Sequence, residues 1–242
     1  MRITVSTCDK YKHLLPGFAY LFNKYWHPDQ AVTVLGFAPP DNELPPNFEF
    51  VSMAPTETQS WTDHHREWLE KQNDELILFL LDDYWLIAPV RLDAIKKLET
   101  EILEEPADKG DLNADMYGKH NQRINRMPLP HKPGYVKADP MAAYRSTTQP
   151  CIWRRDFLLE LMIPGRTPWE FEIKGNDLTR DKLIIAPEGI TRATRLYPMV
   201  NLYNKGKPDN RAIKNIPEED MLMLKTMGYQ KMLDAARIHK VI

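Results

Sequence analysis

Glu75-Leu76-Ile77-Leu78-Phe79-Leu80-Leu81-Asp82-Asp83-Tyr84-Trp85 is an unbroken apolar run that ends in two adjacent carboxylates. A run of this length between polar flanks reads as a strand buried on both faces. Open α/β sheets collect their ligands at the carboxyl ends of such strands. Two acids delivered there are placed to hold a divalent cation, and a cation is the usual handle for a diphosphate. The ordinary alternative is that an Asp after a strand caps a helix or closes a turn. That alternative is weakened because the next apolar periodicity starts only after Pro89.

Working outward, the order of elements is α/β. Residues 2–7 alternate apolar and polar as a first strand, and Leu14/Leu15, Phe18, Leu21/Phe22 and Tyr25 recur at helical spacing. Residues 31–37 and 48–52 read as further strands, separated by a Pro-rich loop that cannot join a ladder. Asp63 is expected to cap a helix running to residue 73, and Leu92, Ile95, Leu98 and Ile102 define another. Strand-helix-strand-strand-helix-strand-helix predicts a mainly parallel central sheet with covering helices in a single domain. The second half is less regular. Residues 105–140 read as a long loop of the kind used as a lid. A short helix is expected over 154–162, strands over 183–186 and 194–202, and a terminal helix over 218–238 weakened at Gly228. The organisation expected is a nucleotide-binding half over 1–104, an acceptor-side half over 105–216 and a C-terminal helix over 217–242.

Composition narrows the function classes. A hydrophobic share of 43% and a charged share of 27% are ordinary for a globular protein. No apolar segment approaches the roughly 20 residues of a membrane span, the amino terminus runs straight into a strand without signal-peptide organisation, and a cytoplasmic protein of a bacterial or infected host cell is expected. Cys8 and Cys151 make neither a disulfide framework nor a zinc site. The net charge of −2 is uneven, with residues 117–155 at +7 and the remainder at −9. Such a segment suits an anionic partner, or else is a solvated basic loop.

Other residues invite a site reading, each beside a plainer one. Thr7-Cys8-Asp9-Lys10-Tyr11 follows the first strand and is placed either to hold a nucleotide base and ribose or to serve as turn and cap. His64 and His65 point to different helix faces and read as surface residues, with Arg66 the better phosphate contact. Trp153 and Trp169 bracket a short helix, with Glu170 and Glu172 close behind. Aromatic faces stack on sugars or bases and carboxylates accept protons, but the same residues also fit a core with a charged surface.

Four stretches in this order, Ser6-Thr-Cys-Asp-Lys-Tyr11, Phe22-Asn-Lys-Tyr-Trp26, Leu80-Leu-Asp-Asp-Tyr84, and Gln149-Pro-Cys-Ile-Trp-Arg-Arg-Asp-Phe-Leu158 with Pro168-Trp-Glu-Phe-Glu172, resemble a small family of bacterial and phage glycosyltransferases with a GT-A-type fold. The likeness spans roughly residues 3–205. It implies transfer of a sugar from a nucleotide-sugar donor, most often a UDP-sugar, to an acceptor hydroxyl. By position it implies that Thr7, Asp9, Tyr11 and Trp61 face the nucleotide, and that Asp82 and Asp83 stand at the Asp-x-Asp metal motif for Mn or Mg. Gln149, Trp153, Trp169, Glu170 and Glu172 would face donor sugar and acceptor. An inverting enzyme needs one carboxylate to deprotonate the acceptor hydroxyl, with Glu172 the first candidate and Glu170 the next, whereas a retaining enzyme needs neither as base. Counted from Asp82 the motif's third position is Tyr84, not an acid, which leaves open which carboxylate binds metal. The acceptor is either a surface glycan or a hydroxymethylated base in phage DNA, the basic segment favouring DNA. Two other classes share the same pattern: a non-catalytic sugar-nucleotide or nucleic-acid binding module, and a metal-dependent phosphohydrolase.

Overall fold

The computed structural model describes residues 1–55, 60–113, 126–191, 193–204 and 206–238. Its strands are β1 (Arg2–Ser6), β2 (Val32–Gly36), β3 (Phe48–Ser52), β4 (Leu76–Leu81), β5 (Tyr84–Leu86), β6 (Lys109–Asp111), β7 (Arg126–Pro128), β8 (Tyr135–Ala138), β9 (Cys151–Arg154), β10 (Ile184–Pro187), β11 (Met199–Asn201), β12 (Tyr203–Asn204) and β13 (Lys207–Pro208). Its helices are α1 (Leu15–Tyr25), α2 (Trp61–Leu69), α3 (Leu92–Glu104), α4 (Arg155–Leu161), α5 (Pro168–Lys174), α6 (Asn210–Ile213), α7 (Glu218–Leu224) and α8 (Gln230–Ile238).

Among the described residues nine strands form one sheet, ordered β3-β2-β1-β4-β9-β6-β10-β8-β7. Seven of them run one way, and only β8 and β9 oppose. The mainly parallel α/β sheet expected from the first hundred residues is therefore present. β4 shows why its sequence is apolar throughout: Leu76, Leu78 and Leu80 enter the core shared with α1 and α3. Ile77 and Phe79 enter a second core on the other face, with Trp68, Phe157, Leu161 and Phe171.

The largest departure lies in residues 105–140, which do not form a plain loop but supply β6, β7 and β8. β6 escapes a hydrophobic-pattern reading because Lys109-Gly110-Asp111 is polar and yet buried. The Lys109 ammonium is satisfied inside, bonding Asp111 Oδ1 and the Arg145 carbonyl at 3.0 Å each and lying 4.5 Å from the centre of the Trp153 ring. β9, also not anticipated, is inserted antiparallel between β4 and β6. α5 likewise lies where no helix was expected. α2 begins at Trp61 rather than at Asp63, whose carboxylate instead accepts from the Ser60 hydroxyl and the Gly165 N–H. The strand expected over 194–202 shrinks to β11, which pairs with β5. The terminal helix does break at Gly228, whose φ of 97° only glycine adopts freely.

Candidate functional site

β1, β2 and β4 end on one rim because they are parallel neighbours. The Thr7 N–H donates to the Leu35 carbonyl at 2.9 Å and the Asp82 N–H to the Ser6 carbonyl at 3.2 Å, locking the three exits together. Asp82 is buried, and its Oδ2 accepts from the Thr7 hydroxyl at 2.5 Å. Its backbone carbonyl accepts from the Trp85 indole N–H at 3.1 Å. Burial and the neighbouring Asp83 charge hold the Asp82 carboxyl well above the usual carboxylate range. Burial also pushes Asp83 up to about 7. Asp83 Oδ1 is buried without a hydrogen-bond partner. Adjacent oxygen donors, one of them orphaned, suit a hard divalent cation. Among the described residues no group of three or more His, Cys, Asp or Glu gathers to hold a metal. The pair therefore fits a cation that also takes oxygens from a ligand diphosphate, the usual arrangement for Mg²⁺.

Beside Tyr84, the residue that follows this pair, lies the 147–149 segment, backed by α5. Glu172 Oε1 accepts from the Thr148 N–H (2.6 Å), the Thr148 hydroxyl (2.8 Å) and the Thr147 hydroxyl (3.1 Å). The Gln149 side-chain N–H makes a long bond of 3.5 Å to the Tyr84 hydroxyl, which the Thr148 hydroxyl also reaches. Burial, then the Asp83 and Glu172 charges, push the Tyr84 phenol well above its ordinary value. Tyr84 thus joins the acid pair to the Glu172 side of the site. In the sequence it stood only as the residue that interrupts the acidic motif. The available signal was its place directly after the pair.

The third wall is α2, and here the histidines are corrected: His64 and His65 are buried, not surface residues. His65 Nδ1 lies 2.7 Å from the Trp61 carbonyl, which can only accept, so Nδ1 carries the proton. Nε2 therefore accepts from the Ser6 hydroxyl at 2.9 Å, and the Trp61 indole N–H donates to that oxygen at 3.3 Å. Trp61 also meets Phe79 and Phe171 edge-on. Burial lowers His65 to about 4 from 6.5. As pH falls below 6.5 the unfolded chain takes a proton that folded His65 refuses, so this group removes stability down to about pH 4. Asp83 acts oppositely, because the folded carboxyl holds a proton up to about 7. The two are separable: wild type should lose roughly 2 kcal/mol relative to His65→Gln between pH 7 and pH 5 in urea unfolding. Parallel pH dependences would contradict a buried neutral imidazole.

Several expected site residues lie elsewhere or are otherwise engaged. The Arg66 guanidinium pairs with Glu70 at 3.0 Å and reaches the Leu159 and Met162 carbonyls, closing the end of α4. Glu170 forms a capping box with Thr167 and pairs with Lys174 at 2.7 Å; Lys174 and the Thr167 donors hold its carboxyl down to about 2. So low a carboxyl is a poor base, and Glu170→Gln should leave turnover within about twofold, since exposed pairs contribute little. Trp153 is 1% exposed and packs on Phe157 and Phe171, so it supports the site from below rather than facing a ligand. Trp169 is exposed on α5. Asp9 accepts from the Ala38 N–H at 2.9 Å, and Tyr11 meets Tyr203 edge-on at 5.0 Å.

The basic segment is also largely committed internally. The Arg145 guanidinium bonds the carbonyls of Ala138, Asp139, Thr179 and Lys182, and Lys132 pairs with Glu101, Glu104 and Glu105. Arg154 pairs with Glu75 and bonds Ala107, and Arg155 bonds Gln72 and Asp156. Lys119 and Arg123 lie outside the described residues.

No family model matches this chain, and no curated protein matches it. Among solved structures it is similar to TarS 1-349 of S. aureus, at 15% identity and a TM-score of 0.47, over 78% of this chain and 58% of that one. The same TarS fragment is known in complex with UDP-GlcNAc. A cytidylyltransferase of Leptospira borgpetersenii aligns at 10% identity and a TM-score of 0.47, over 93% of this chain and 95% of that one. An active-site mutant of LgtC aligns at 12% and 0.45, over 77% and 72%. The chain thus spans little more than half of the TarS fragment, and the likenesses are loose. Among the described residues no helix is long and apolar enough to cross a membrane.

Proposed function

We propose that this protein is a glycosyltransferase that moves a sugar from a nucleotide-sugar donor, with UDP the expected nucleotide, to an acceptor hydroxyl. The observation that carries the reading is the acid pair at the exit of β4, with Asp83 Oδ1 orphaned, facing the Tyr84, Gln149 and Glu172 polar groups. Asp83 and Asp82 would hold Mn²⁺ or Mg²⁺, and such an ion offsets the charge gathering on the departing diphosphate. Thr7 orients Asp82, and Trp61, with Tyr11 and Asp9 beyond it, would bound the nucleotide. The sugar carbon bonds to the acceptor oxygen as its bond to the diphosphate oxygen breaks. With three donors on Glu172 Oε1, Oε2 is the atom to take the acceptor proton in an inverting reaction.

A glycan acceptor is favoured over DNA, because Arg145 is buried on backbone carbonyls and Arg154, Arg155 and Lys132 are already paired with carboxylates of this chain. Exposed Trp169, on the same short helix as Glu172, offers a face of the kind sugar rings stack on. The test is donor hydrolysis by purified protein with Mn²⁺ or Mg²⁺ across UDP-, GDP- and TDP-sugars. Release of nucleotide from one donor, lost in Asp82→Ala/Asp83→Ala, supports transfer. Tight binding without turnover, indifferent to that double change, would instead make the chain a binding module. Phosphate release without a sugar acceptor would make it a phosphohydrolase.

A further inference from the structure

We propose that Lys10 binds the outer phosphate of the donor diphosphate and stabilises it as it departs, an inference that rests on the nucleotide-sugar reading above. Two segments flank the acid pair on the rim, and Lys10 belongs to one and touches the other. The first is the loop leaving β1. It starts from Thr7, whose hydroxyl bonds Asp82 Oδ2, and turns at once, the Tyr11 and Lys12 N–H groups donating to the Cys8 carbonyl at 2.9 Å and 2.8 Å. Lys10 is thereby kept within one turn of the Thr7–Asp82 bond. The second is the hairpin of β12 and β13. It is tied to the other acid by the Leu202 N–H, which donates to the Asp83 carbonyl at 2.9 Å.

Loop and hairpin meet through aromatic rings. Tyr11 meets Tyr203 edge-on, and the Lys10 ammonium lies 5.0 Å from the centre of the Tyr11 ring. Gly206, just before β13, has a φ of 75°, and a Cβ there would stand 3.8 Å from Lys10 Nζ and 3.7 Å from the Tyr11 hydroxyl oxygen. The ammonium therefore lies where the hairpin passes over the loop. Among the described residues no carboxylate pairs with it, whereas Lys12, two residues on, pairs with Asp41 at 3.1 Å. A ring face attracts an ammonium but leaves its three N–H donors for other partners, and phosphate oxygens are the strong ones. Trp61 packs against the core on one face of the sheet, Tyr11 and Tyr203 against the core on the other. A nucleotide whose base lies toward Trp61 thus carries its phosphates across the rim toward Lys10, and the outer phosphate is where the leaving charge gathers.

Calorimetry of the full chain with Mn²⁺ tests this. The probes are UDP, GDP and TDP, each against its monophosphate, and the quantity read is the ratio of diphosphate to monophosphate affinity. Lys10→Met removes the charge but keeps an apolar stem over the Tyr11 ring, and Lys10 is exposed, so the fold should be unaffected. In this variant the ratio for the preferred nucleotide should fall at least about tenfold, the lower range for a hydrogen bond to a charged group, with monophosphate affinity kept. An unchanged ratio overturns the proposal and leaves the donor reading intact. If both affinities hold, Lys10 is a surface lysine resting on its neighbour's ring; if both drop together, it is a strut between loop and hairpin. Wild type that binds no diphosphate better than its monophosphate overturns the donor reading and this inference with it.

Discussion

Asp83→Ala is expected to lower donor turnover by at least about 100-fold while leaving the fold as stable as before or more so. The reason lies in how differently the two acids are used. Asp82 is closed in, its carboxylate taken by the Thr7 hydroxyl and its carbonyl by the Trp85 indole. Asp83 keeps a buried oxygen with no partner and a carboxyl raised to about 7 by burial. A group so placed is destabilising without a cation, and functional sites commonly carry that cost. Removing it should relieve the fold and forfeit charge stabilisation, each such interaction contributing about 10²–10³-fold in rate. Asp82→Asn, which can still accept from Thr7, should lose less. Mn²⁺ should stabilise wild type but not Asp83→Ala, by up to about 3 kcal/mol at a hundredfold excess over Kd, read as a higher melting temperature. The effect should weaken as pH falls below 7, where the proton competes for the carboxyl. Wild-type turnover in Asp83→Ala would refute the assignment, and a larger loss in Asp82→Asn would exchange the two roles.

What could be read in the sequence follows from where the hydrophobic signal is strong. β1, β2, β3, β4 and their helices announce themselves because each buries an apolar stripe or run, and β4's double-sided burial accounts for every residue from Leu76 to Leu80. β6 was illegible because its burial is paid in ion pairs, with Lys109 and Asp111 satisfying each other where a pattern search expects valines. His64 and His65 were misplaced for a related reason. Spacing shows which helix face a residue occupies, but not that α2 turns that face against Ser6 and Phe37. At the site, the acid pair and Thr7 were visible as polar residues ending apolar strands. Tyr84 and Thr148 were not, since their place depends on a turn 64 residues away in sequence from the phenol it meets. Arg66 and Glu170 looked available only because their partners, the α4 carbonyls and the Thr167 cap with Lys174, appear once the chain is folded.

Trp85→Ala is expected to cost about 3–5 kcal/mol, the range for emptying a fully buried aromatic position. Trp85 is 0% exposed and meets Tyr229 edge-on at 5.0 Å. The Tyr229 hydroxyl accepts from the Gly17 N–H at 3.0 Å and donates to the His13 carbonyl at 2.7 Å. One indole therefore sits where the acid pair, the start of α1 and the segment after Gly228 converge. Gly17 is small for this reason: a Cβ there would stand 2.4 Å and 2.5 Å from two carbons of the Trp85 ring. Gly17→Ala should thus cost about 1–3 kcal/mol by overpacking, although alanine is the better helix former. Trp85→Phe keeps most of the volume but leaves the buried Asp82 carbonyl without its indole donor, so it should cost less in urea unfolding than alanine does. Its donor turnover should nevertheless fall, because the acids are no longer held from behind. If Trp85→Ala lost under about 1 kcal/mol, or if Trp85→Phe kept full turnover, the indole would be filling space and not holding the acid pair in place.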